Sequence, residues 1–103
     1  MVMQAQPDFE AAIRSIYDQC SAFGYRPTYL LQLIAERGGL GAAKVLIAKP
    51  VSDGFSRLAV EQRLDLSVEA LVLRPEWRSL FTPEELRTAR SRLRSSPHAG
   101  PPL

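Results

Sequence analysis

The chain has a single cysteine, Cys20, and a single histidine, His98. One thiol excludes an internal disulfide and any thiolate zinc cage. A reduced, cytoplasmic setting is the expectation. His98 lies in a terminal stretch rich in Pro, Ser and Gly. No imidazole is therefore expected beside Cys20 or a serine to activate a nucleophile. No apolar run approaches the about 20 residues that a membrane span requires. The opening residues 1–6 have neither the basic nor the apolar region of a signal peptide. No His/Cys/Asp set has metal-ligand spacing, so no metal and no cofactor is expected. Strand-forming runs are almost missing as well. Leu71-Val72-Leu73 reads as a strand in isolation, but no second such run could pair with it. These absences argue against an enzyme and against a membrane protein.

What is present is ordinary for one soluble domain. The chain has 103 residues, 46% hydrophobic and 23% charged. A chain of this size buries roughly 60–68% of its unfolded surface, enough for one core. Hydrophobic periodicity predicts an all-α, compact single-domain bundle of six or seven short helices. Residues 1–6 read as a flexible N-terminus, 7–94 as the helical domain, and 95–103 as a disordered tail.

The first helix is predicted over 7–23, with Pro7 at its first position and Gly24 as its stop. Phe9, Ala12, Ile13, Ile16, Tyr17 and Cys20 form its apolar stripe, and Glu10, Arg14 and Asp18 the opposite, solvated row. A second helix starts near Pro27-Thr28 and stops at Gly38-Gly39. A third covers 40–48, ended by Pro50. A fourth of about ten residues begins near Phe55. Ser67 is a candidate N-cap, with Leu66 and Leu71 spaced as a hydrophobic staple. Pro75 ends that helix, and 75–80 reads as one turn around Trp77. Thr82-Pro83-Glu84-Glu85 is a capping box that opens the last helix, with Leu86, Ala89 and Leu93 inward.

Charge is unevenly spread. Residues 1–85 hold nine of the thirteen basic residues and all eleven acids. Residues 86–103 hold Arg87, Arg90, Arg92 and Arg94 and no acid. A basic end can meet nucleic acid or an acidic surface. Cations near a helix C-terminus also complement its dipole, which is the simpler reading.

Three local patterns invite a chemical reading and have a structural one. Gly38-Gly39-Leu40-Gly41-Ala42-Ala43-Lys44 resembles a phosphate loop but lacks the Gly-Lys-Ser/Thr ending and a leading strand. Its glycines more simply end one helix and let the next pack closely, although a helix start with Lys44 nearby could hold an anion. Asp65 and Glu69 are four apart and read as helix-start charges, with Arg63 and Arg74 as partners. Tyr25, Tyr29, Phe55, Trp77 and Phe81 read as core aromatics, of which Tyr25 and Trp77 are expected to be partly exposed.

Several segments together resemble a small, uncharacterised bacterial helical domain. They are Ile16-Tyr17 through Gly24-Tyr25, Gly38-Gly39 with Ala43-Lys44, Ser52-Asp53-Gly54-Phe55, the run from Arg63 to Leu73, and Trp77 with Leu80 to Leu86. The resemblance extends over residues 9–93. It departs at Gln62, where the family pattern has glycine. Such domains stand alone or accompany restriction-type nucleases and other mobile or defence-associated proteins. The resemblance implies an accessory role and supplies no catalytic residues.

Two functional expectations follow. The first is a non-enzymatic accessory module that mediates protein–protein interaction, with Tyr25, Leu31 and Trp77 as partner-binding residues on an exposed apolar patch. The alternative is a DNA- or RNA-binding accessory domain that uses Lys44, Lys49, Arg87, Arg90 and Arg94 on phosphates. A homo-oligomer is compatible with either.

Overall fold

The computed structural model describes residues 2–51 and 53–95, with side chains from residue 8 onward. His98 and the tail beyond Ser95 lie outside the described residues. Five α-helices run in the order α1 (Val2–Ser21), α2 (Thr28–Ala48), α3 (Asp53–Val60), α4 (Val68–Val72) and α5 (Pro83–Ser95). Two 3-10 turns, Leu64–Leu66 and Arg78–Leu80, flank α4. No strand occurs among the described residues. The Leu71-Val72-Leu73 run that reads as a strand in isolation falls in and just after α4.

The helix count corrects the expected six or seven, and α2 shows why. It spans both the second and third predicted helices, but Gly38 inside it sits at φ 76°, ψ 170°, far from helical values. α2 is thus two helical halves that meet at a sharp break at Gly38, where the sequence predicts one helix to stop and the next to begin. In a straight helix, Tyr29 and Lys49 would stand about 30 Å apart. Here the Lys49 Nζ donates to the Tyr29 hydroxyl at 2.9 Å. The remaining short turn, around Trp77, is 3-10 rather than α-helical. At the other end, α1 begins five residues before Pro7. The missing proline N–H costs that helix one bond without stopping it.

Gly39 explains the reversal's tightness. A Cβ there would stand 2.7 Å from the Glu10 Cα, so α1 crosses α2 at backbone contact. The Glu10 carboxylate accepts the Gly39 N–H at 2.9 Å and caps the restarted half of α2. That hydrogen bond, more than the nearby Arg14, holds the Glu10 carboxyl below its ordinary pKa. The phosphate-loop pattern thus serves a close crossing, and the one anion at its N–H is the chain's own.

The two helix-ending turns are built alike. After α1, Gly24 (φ 90°) donates to the Ser21 carbonyl, and Tyr25 donates to that of Cys20. After α3, Gln62 (φ 59°) donates to the Ala59 carbonyl, and Arg63 to that of Leu58. Both are Schellman motifs, which need a left-handed residue at their pivot. Gln62 adopts that conformation without being glycine.

The core joins one stripe from each helix. Phe9, Ile13, Ile16 and Cys20 come from α1, and Leu33, Ile34, Ala42 and Ile47 from α2. Val68, Leu71 and Val72 of α4 fill the centre, and Ala89 of α5 closes it. Phe9 meets Trp77 and Phe81 edge-on, with ring centroids 5.6 and 5.5 Å apart. Ser67 caps α4 through a 3.0 Å bond from the Ala70 N–H, and Thr82 and Glu85 cap α5 reciprocally. The radius of gyration, 13.0 Å, is that of a compact domain of this length.

Arg92 of α5 points inward. Its guanidinium donates to the Glu69 carboxylate at 2.9 Å and to the carbonyls of Leu46, Ile47 and Lys49. It thus caps the C-terminus of α2, whose own last turn has no basic residue. Glu69 is therefore the partner of Arg92 rather than of Arg74, whereas Arg63 does grip Asp65.

Candidate functional site

The reversal in α2 brings its two ends to one side of the molecule. The loop before α2 and residues 49–51 and 53–58 after it face each other there. Between them opens a half-open cleft of about 540 Å³. Its floor is α1 and α4: Ile16 and Cys20 on one side, Leu66 to Glu69 on the other. Its walls are Tyr25 to Leu30, then Lys49, Pro50 and the first turns of α3 with Phe55 and Leu58. The volume falls within the range of ligand pockets, and the lining is mainly apolar.

Burial shifts two titratable groups of the cleft, one in the floor and one in the wall. Cys20 is fully buried, as a core position requires, and burial pushes its thiol above the ordinary pKa. Burial likewise raises the Tyr25 phenol. Both stay neutral near pH 7. Glu69 is buried and answered by Arg92. At the mouth, Asp53 sits in the first turn of α3, where a negative charge is favourable. Arg57 lies over the Tyr25 ring, its carbon 5.2 Å from the centroid, while its Nε bonds Glu61.

Arg26 and Lys49 stand at opposite ends of α2, both exposed. Neither forms an ion pair among the described residues. Lys49 bonds only the Tyr29 hydroxyl and lies 5.6 Å from that ring's centroid. Tyr29, which lines the cleft, and Val51, which follows its lining residue Pro50 in the chain, are about half exposed and are two of the three exposed large apolar residues among the described residues.

The expected site residues separate. Tyr25 lines the cleft; Leu31 and Trp77 do not. All three are half-buried, and the exposed apolar residues are Tyr29, Val51 and Val60 instead. The Trp77 indole N–H is buried and has no acceptor among the described residues. Of the basic set, Lys44 bonds Glu85 at 2.7 Å and covers the Phe81 ring. Arg87, Arg90 and Arg94 are exposed on the outer side of α5. Sequence reasoning missed Arg26 and Tyr29 as a pair with Lys49. The available signal was Gly38, whose left-handed conformation turns a long helix back on itself and joins its flanks.

A second, more open groove of about 600 Å³ lies between the end of α2 and the first turns of α5. Lys49 and Pro50 line both hollows, whereas Glu69 lines only the first and its partner Arg92 only the second. No group of three His, Cys, Asp or Glu side chains among the described residues is placed to hold a metal ion. No described helix is long and apolar enough to cross a membrane. Compared with family models, curated proteins and solved structures, the chain gives no match.

Proposed function

We propose that the chain is a non-enzymatic helical accessory module that docks a segment of a partner protein in the cleft between the ends of α2. One observation carries this reading: an apolar cleft of about 540 Å³ lined by the exposed Tyr29, with the exposed Val51 next in the chain to its lining residue Pro50. A pocket for a small molecule alone would place its apolar surface inside. Exposed apolar side chains extend the contact to the size of a protein partner.

A tagged chain used as bait in lysate, half of it nuclease-treated, tests this. The expected result is one protein in near-stoichiometric amount from both halves, lost with Tyr29→Asp/Val51→Asp. Both substituted positions are exposed, and circular dichroism checks the fold of the variant. Recovery that vanishes after nuclease treatment would overturn it.

The exposed row Arg87, Arg90 and Arg94 favours a second reading, a nucleic-acid contact. With Lys44 held by Glu85, about three phosphates are within its reach. For duplex DNA this gives a salt slope near −2.7 on logarithmic axes.

A further inference from the structure

We infer that the docked segment is acidic: a peptide with an apolar anchor for the cleft and carboxylates for Arg26 and Lys49. This rests on the docking reading above and adds the chemistry of the partner.

Charge complementarity supports it. Four charged side chains line the cleft: Arg26, Lys49, Asp53 and Glu69. Both acids are already answered within the fold. Glu69 is held at 2.9 Å by Arg92, and Asp53 lies in the first turn of α3. Arg57, beside Tyr25, is answered by Glu61. The two cations share the mouth with Asp53, but neither forms an ion pair among the described residues. They flank α2 at opposite ends, so an extended or helical segment crossing the mouth passes both. A carboxylate there gains attraction with no internal ion pair to break, whereas a cation meets repulsion. The Lys49 ammonium has further N–H donors besides the one given to Tyr29. Such rim charges select the partner and speed encounter more than they add affinity. The apolar anchor supplies the burial.

Three short capped peptides test the inference: leucine with glutamate, with glutamine, and with lysine. Each is titrated into the isotope-labelled full chain, and the amides at 25–30 and 49–58 are followed. The glutamate peptide is expected to shift these amides at the lowest concentration, less so when salt rises from about 50 to about 200 mM. Arg26→Glu/Lys49→Glu is expected to weaken it about tenfold and to favour the lysine peptide. The two side chains are exposed, and unchanged amide dispersion elsewhere verifies the fold of the variant. Equal binding of all three peptides, with no effect of the charge reversal, overturns the acidic partner and leaves the docking reading standing. No shift at these amides with any peptide overturns the docking reading itself. Saturation by free decanoate where no peptide binds overturns both and assigns the cleft to a small amphipathic acid.

Discussion

Glu69 and Arg92 form the one ion pair among the described residues in which both side chains are largely buried, 5% and 12% exposed. The other pairs are appreciably more exposed and are worth little individually. The buried pair ties α4 to α5 and, through the α2 carbonyls, to the C-terminal end of α2.

Removing one partner strands the other charge in the interior. Arg92→Ala is expected to cost about 3–5 kcal/mol in urea unfolding. Glu69→Leu/Arg92→Met, which removes both charges, is expected to lose much less. A double variant as unstable as Arg92→Ala would mean that the carbonyl bonds, not the stranded carboxylate, dominate.

Gly39→Ala sets two effects against each other. Alanine is the better helix former by about 1 kcal/mol. The new methyl would stand 2.7 Å from the Glu10 Cα, and backbone cannot yield cheaply. Overpacking of this kind costs about 1–3 kcal/mol, so a net loss is expected by thermal unfolding. A stabilised variant would contradict the close crossing.

Gln62→Gly is expected to stabilise. A left-handed conformation costs an ordinary residue about 1–2 kcal/mol, part of which glycine returns through its freer unfolded chain. A net gain of about 0.5–1 kcal/mol should appear as a raised urea midpoint at unchanged slope. The same change at an exposed helical site such as Arg90 should destabilise.

Three carboxyls make the fold acid-sensitive. Glu10 is held below its ordinary pKa chiefly by the Gly39 N–H, and Asp65 chiefly by the Arg63 guanidinium. For Glu85, burial is the largest single influence and raises its pKa. Hydrogen bonds from Lys44 and Thr82 together outweigh it, so the net direction is down. A lowered folded-state value adds stability that is complete above the unfolded value. It is lost as pH falls through the folded one. Urea midpoints should therefore hold steady down to about pH 4.5 and then drop. Glu85→Gln and Glu10→Gln should drop less steeply. A profile equally steep in both variants would refute these assignments.

Legibility from sequence followed the range of each interaction. The Ser67 cap, the Thr82/Glu85 box and the Phe9 to Cys20 stripe depend on neighbours within a few positions, and all were readable. Arg92 was counted with the basic end of the chain. One further step was available, since Arg92 follows the inward Ala89 by three positions and shares its face. Its acceptors, 43 to 46 positions upstream, were not readable. The cleft was beyond local reasoning for the same reason. It exists because Gly38 folds α2 back, and no spacing along the chain records that Tyr29 will meet Lys49.

Every side chain that lines the cleft leaves the ribosome before Arg92 does. Glu69, the last of them, precedes it by 23 positions. A nascent chain halted before α5 would therefore carry the complete lining with the α2 carbonyls unclamped and the apolar floor exposed. Such a species, with apolar surface exposed, is a client for chaperones. Arg92, made after the whole lining, closes the C-terminal end of α2 only once α5 has been synthesised.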